Sequence, residues 1–231
     1  MSTVFISGSI KIKSLDDKVK SRLDKVISSG VKVLIGDAGG VDKSVQQYLI
    51  KNNFPSVTVY CTGDSPRNND GLWPVVNVEP PVKTKTRAYF TAKDLKMADD
   101  SDFGLMVWDC KSTGTLSNVI ELLKKKKKSV VYVSSKKAFL NISSVSDLEA
   151  LVAQMDHDSF IEADKKISLN KTLGLLSGVS SRESPENELY KFKKMIEDHQ
   201  SAIADHEKSI ADLKLRMEQI SEPMDDMFAQ H

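Results

Sequence analysis

Three short stretches of this chain hold the residue types from which a binding or reacting site is built. They are Gly36-Asp37-Ala38-Gly39-Gly40-Val41-Asp42, Asp109-Cys110-Lys111-Ser112-Thr113-Gly114-Thr115, and Ser7-Gly8-Ser9. Glycine lets a backbone approach a phosphate closely, and the free N–H groups at a helix start favour negative charge. Ser112 and Thr115 add hydroxyl donors. Neither glycine-rich loop matches G-x-G-x-x-G or the Walker A spacing. The alternative reading is that Gly39 and Gly40 only permit a tight turn, with Asp42 capping the helix that follows.

The aspartates decide which reaction is open. Asp37, Asp42 and Asp109 could hold a ribose or serve as acid, base or nucleophile. Trp108 could stack on a base, or simply pack against a sheet. Cys61 and Cys110 lack a histidine nearby in sequence, His157 being distal, so a Cys–His nucleophile is not expected. No Cys/His grouping has metal-ligand spacing, and neither a structural zinc nor any other cofactor is expected.

These stretches matter because of the elements around them. Short β-rich runs (Thr3–Ser7, Lys32–Ile35, Val57–Cys61, Phe103–Trp108, Val130–Ser134) alternate with helical patterns at 14–28, 41–52, 86–98 and 114–127. Val75–Val78 and Ala138–Ile142 read as further short strands, and 145–155 as another helix; Ser14 is the expected cap of the first helix. Such alternation predicts an α/β fold: a doubly wound, mostly parallel Rossmann-like sheet with helices on both faces. In that fold ligands bind outside the carboxyl ends of the strands, where all three stretches fall.

The expected organisation is an α/β domain over 1–168, a linker over 169–183, an oligomerisation helix over 184–221 and a tail over 222–231. From Ser184-Pro185 onward, heptads place Leu189, Ile196, Ile203, Ile210 and Met217 at a, and Phe192, His199, His206, Leu213 and Ile220 at d. A helix of roughly 50 Å with this stripe predicts a coiled coil, with a homodimer favoured. The two d-position histidines read as register-fixing polar residues, or as a metal site or pH switch. The Lys124–Lys128 run reads as a solvated helix end complementing the dipole, or as a nucleic-acid or anionic-lipid patch.

Over 231 residues, 33 basic and 32 acidic side chains give a formal charge of +1, which lends no global support to nucleic-acid or membrane-surface binding. No apolar run is long enough to span a bilayer, and the N-terminal residues lack a signal-peptide pattern. With two cysteines there is no disulfide framework, and a reduced cytoplasmic protein is expected.

The block from Lys93 to Asn118, with Trp108-Asp109 and Ser112-Thr113-Gly114-Thr115, preceded by Gly36–Asp42, resembles the SLOG superfamily. Those Rossmann-like proteins include LOG-type nucleotide phosphoribohydrolases, DNA-processing proteins and nucleotide-sensing domains, and are akin to nucleoside 2-deoxyribosyltransferases. The resemblance covers roughly residues 3–135 and is nearest to uncharacterised bacterial members. It implies a nucleotide-like small molecule contacted by Gly8, Ser9, Gly36, Asp37, Gly39, Gly40, Asp42, Trp108, Asp109, Ser112, Gly114, Thr115 and Asn118, with Trp108 or Tyr60 near the base. The glutamate those hydrolases and transferases place shortly after Gly-Thr is absent: Asn118 stands three positions after Thr115, and Glu121 one turn further on. The Pro-Gly-Gly-x-Gly-Thr loop is absent as well. Binding or sensing of a nucleotide or nucleoside derivative is thus the first expectation. The second is cleavage or transfer at an N-glycosidic bond, with Asp37, Asp42 or Asp109 in the catalytic part. The third, not favoured, is single-stranded DNA binding along Lys43, Arg67, Lys83, Lys85 and Arg87.

Overall fold

The computed structural model describes residues 2–82, 84, 86–177, 193–197, 199–201, 203–214 and 216. Seven strands form one sheet: β1 (Thr3–Gly8), β2 (Lys32–Gly36), β3 (Val57–Thr62), β4 (Val75–Val78), β5 (Phe103–Trp108), β6 (Ser129–Val133) and β7 (Ala138–Ile142). Their spatial order is β4-β3-β2-β1-β5-β6-β7, and every pair is parallel except the terminal β6–β7 pair. The chain builds outward from β1 to β4, then returns to add β5 on the other side of β1. That reversal is the topological switch point of a Rossmann-like sheet.

Apolar runs become central strands here because both faces are covered. Val4, Ile6, Val33, Ile35, Leu105 and Val107 pack with α1 (Asp17–Ser28) and α2 (Val41–Lys51). The alternate residues Phe5, Leu34, Tyr60, Met106 and Trp108 pack with α3 (Arg87–Asp100) and α4 (Thr113–Lys124). The same cluster takes in Leu148 and Leu151 of α5 (Val145–Val152), Ala163 of α6 (His157–Ile167) and Leu169 of α7 (Leu169–Ser177).

Two local expectations change. Helix α1 is capped by Asp16, whose carboxylate accepts from the Lys18 N–H, so it starts beyond Ser14. Residues 169–177 are helix α7 and not linker; Leu169 is buried, and Leu173 and Leu176 pack against the core. The remaining linker residues, 178–183, lie outside the described residues. The lysine run is largely paired: Lys124 with Glu121, Lys125 with Asp99, and Lys127 with the carbonyls of Ala98 and Asp99.

Residues 1–181 and 182–231 are separate compact units. In the second, residues 193–197, 199–201, 203–214 and 216 are helical, and Ile196, Ile203, Ile210 and Leu213 are each more than half exposed. The Ser184-Pro185 helix start, Leu189, Phe192, Met217, Ile220 and the 222–231 tail lie outside the described residues. Among the described residues no helix is long and apolar enough to cross a membrane.

Candidate functional site

Helix α2 follows β2 after the short loop 37–40, and Gly40 occupies its N-cap position at φ 70°. The chain between β1 and α1 crosses closely above it. A Cβ on Gly40 would lie 2.3 Å from the Ile10 carbonyl oxygen, and the Val41 N–H donates to the Ser9 carbonyl at 3.4 Å. The chain between β1 and α1 therefore lies against this helix start, Gly40 makes the tight turn beneath it, and the Val41 N–H is taken by the Ser9 carbonyl. Asp42 is not the cap: it sits inside the first turn and points inward, 3% exposed.

At the neighbouring strand end, Asp109 laces two loops together. Its Oδ1 accepts from Ser9 Oγ at 2.9 Å, Lys111 N at 3.0 Å and Ser112 N at 2.7 Å, while its own N–H donates back to Ser9 Oγ. Ser112 caps α4, accepting from Thr115 N at 3.4 Å and from Thr115 Oγ1 at 3.1 Å. Asn118 Nδ2 donates to Ser7 Oγ, joining α4 to the end of β1, where Gly8 pairs with Val107. Gly114 is uncrowded, and beside it Arg87 Nη1 donates to Thr113 Oγ1 at 3.2 Å.

The expected base-stacking residues are packing residues. Trp108 is fully buried, with its indole N–H donated to the Ser112 carbonyl. Tyr60 is also buried, and its hydroxyl donates to Asp100 Oδ2 at 2.7 Å. A nearly continuous apolar strand buries its last aromatic as readily as its middle.

A cavity of about 230 Å³ opens instead beyond the ends of β2 and β3, walled by α3. Asp37, Arg67, Lys93, Thr62, Tyr89 and Phe90 line it, with Asp64 and Ser65 at the loop side. Asp37 clamps the β3–β4 loop: Oδ2 accepts from Arg67 N and Nε, and Oδ1 from Arg67 Nη2 at 2.7 Å. Asn68 Nδ2 donates to the Asp37 carbonyl, and Gln46 Nε2 donates to the carbonyls of Gly36 and Asn68. The Arg67 guanidinium lies 5.4 Å from the Phe90 ring centroid, and Tyr89 meets Phe90 edge-on at 5.2 Å. Burial pushes the Asp37 carboxyl up, but the Arg67 side-chain and backbone hydrogen bonds and the Lys93 charge outweigh it and leave it below its ordinary value.

A buried charge cluster runs inward from this wall through Lys93. Lys93 Nζ is 2.7 Å from Asp94 Oδ1 and 3.9 Å from Asp37 Oδ1, with only 5% of the residue exposed. Burial pushes its ammonium down, yet Asp94, Asp42 and Asp37 together hold it above its ordinary value. Burial pushes Asp42 up to about 6; Lys93 opposes this, and Asp94 and Asp37 reinforce it. Asp42 Oδ2 accepts a long 3.4 Å bond from Ala38 N, and Oδ1 is buried without a partner. Gly36 makes the arrangement sterically possible: a Cβ there would lie 2.6 Å from both Asp42 Oδ2 and Lys93 Nζ.

The structure thus gathers Gly36, Asp37 and Asp42 at one strand end, and Ser9, Asp109, Ser112 and Thr115 at the next. Lys93, Tyr89 and Phe90 are not among the site residues read from the sequence, which gives 86–98 only as a helix. The available signal was Lys93 itself, one turn before the buried Met97. Of the expected basic stripe, Arg67 is spent on Asp37, and Lys83 and Lys85 lie outside the described residues. Among the described residues no three His, Cys, Asp or Glu side chains are grouped to hold a metal. The chain matches no protein-family model, and a search of curated proteins finds no relative.

Proposed function

We propose that this protein binds a nucleotide or nucleoside derivative at the strand ends of its Rossmann-like domain, in the cavity between the β2–α2 loop, the β3–β4 loop and α3. The observation that carries this reading is the joint presence there of fixed charges (Asp37, Arg67, Lys93) and aromatic surface (Tyr89, Phe90) around one opening. A nucleoside offers matching chemistry: a flat π-face, hydroxyls and, when phosphorylated, an anion. The resemblance to nucleotide-handling SLOG proteins points the same way. Asp37 and Asp109 are both engaged in holding loops, and Asp42 does not reach the cavity wall, which favours binding over N-glycosidic cleavage.

The test is a thermal-shift screen of nucleosides, nucleotides, cyclic nucleotides and ADP-ribose derivatives. A true ligand at a hundred times its Kd adds about 2.7 kcal/mol, or a Tm rise of roughly 5–10 °C for a domain of this size. Asp37→Ala should reduce the response at least tenfold in affinity, because it frees the Arg67 wall. No response across the panel removes the reading; release of free base during incubation would replace it with an enzymatic one.

The exposed a-type residues of the C-terminal helix supply the second half of the reading, self-association through that helix. Ile203→Asp in the full chain is expected to lower the mass measured by light scattering to that of one chain. An unchanged mass would assign association, if any, elsewhere.

A further inference from the structure

We propose that Lys93 is the cation against which an anionic group of the ligand sits, and that Asp42, buried behind it, is a positioning residue that sets how much of that charge the ligand meets. This rests on the ligand-binding reading above and assigns its acidic part. An ammonium carries three donors, and the bond to Asp94 uses one of them. The hydroxyl of Thr62, which lines the same cavity, is buried without a hydrogen-bond partner. A fixed cation and an unpartnered hydroxyl enclosed just beside it, both from residues that line one cavity, suit an oxyanion such as a phosphate or sulfate.

Asp42 acts from behind. It and Lys93 both crowd the bare face of Gly36, so the carboxylate and the ammonium sense one another at short range. The other groups facing the pair are Asp94 from α3, Asp37 from the β2–α2 loop, Arg67 from the β3–β4 loop, and the buried thiol of Cys61 at the end of β3. With Asp42 ionised, three carboxylates (Asp37, Asp42, Asp94) oppose two cations (Lys93, Arg67); with Asp42 protonated the cluster is balanced. Burial places that change near pH 6, and the partnerless Oδ1 leaves the ionised form poorly solvated. An incoming anion is therefore held better when Asp42 carries its proton, and by linkage its binding near neutrality draws a proton in.

Sulfate is the probe, since its own charge does not change between pH 5 and 8. Titration calorimetry on the full chain at constant ionic strength should show binding about tenfold weaker at pH 8 than at pH 5. Asp42→Asn should bind at pH 8 as the wild type does at pH 5, with the slope flattened. Lys93→Met should lose binding at every pH, and Lys93→Arg should restore part of it. Because Lys93→Met can unfold the domain, Asp42→Asn carries the decision: a retained wild-type slope in that variant overturns the proposal. So does the absence of sulfate binding, or an affinity that does not change with pH. If adenosine and AMP stabilise the chain while sulfate does not bind, this assignment fails and the ligand-binding reading stands. If sulfate binds with the expected slope and no nucleoside or nucleotide does, the anion site stands and that reading falls.

Discussion

Gly40→Ala is expected to lower the unfolding free energy by about 3–5 kcal/mol, the sum of a backbone forced to positive φ and an overpacked contact. The clash is with backbone: the Ile10 carbonyl oxygen would lie 2.3 Å from the new Cβ, and its carbon and Cα 2.5 Å. A flexible side chain could swing away, but the chain between β1 and α1 is held. Ile12 N and Val41 N both donate to the Ser9 carbonyl, and Ser9 is tied to Asp109 at the end of β5. Relief therefore requires moving the contact that joins the ends of β1, β2 and β5. Urea unfolding with an unchanged m-value checks this; a loss below about 1 kcal/mol would mean that the chain against the start of α2 yields freely.

Asp42→Asn is expected to stabilise the protein at neutral pH, against the general tendency of substitutions in a buried site. The carboxyl has an ordinary value of 3.8 and is pushed to about 6 by burial, so the folded state holds the proton more tightly than the unfolded state. Stability from this group is fully present below pH 3.8, declines as pH rises, and is gone above about 6. Two pH units of displacement correspond to about 3 kcal/mol. Asparagine keeps the shape without the ionisation, so the variant should gain on the order of 2–3 kcal/mol above pH 7 and show a flatter stability profile between pH 4 and 6. Chemical denaturation at pH 5 and pH 8 separates the outcomes. A variant less stable than the wild type at both would show that the Asp42 carboxylate is a net stabilising partner of Lys93.

Much of the framework was legible because it depends on local pattern. The β-branched runs ending at Gly8, Gly36 and Trp108 form strands at those places, and the segments that follow them stand at the C-terminal edge of the sheet. The rest depended on what each side chain meets. Nothing in Gly39-Gly40 says whether another segment lies against the helix start, since that segment holds Ile10, thirty residues earlier. Trp108 reads equally as a stacking surface or a core residue until the burial of β5 is known. Residues 169–177 look like linker because the strand–helix alternation stops before them, yet Leu169, Leu173 and Leu176 suffice to dock a helix once α5 and α6 offer a surface.

By itself the sequence determined the α/β class, the strand-end location of its glycines and aspartates, and the heptad spacing of the C-terminal segment, all properties of periodicity and local backbone freedom. Tertiary structure alone decided which of those groups face open space. Asp37 and Asp109 are consumed in tying loops, Asp42 is buried beside a lysine on a helix some fifty residues away, and the cavity falls to α3 and the β3–β4 loop. Burial and pairing are set by contacts distant along the chain, and they decide whether a carboxylate is a clamp, a proton store or a ligand contact.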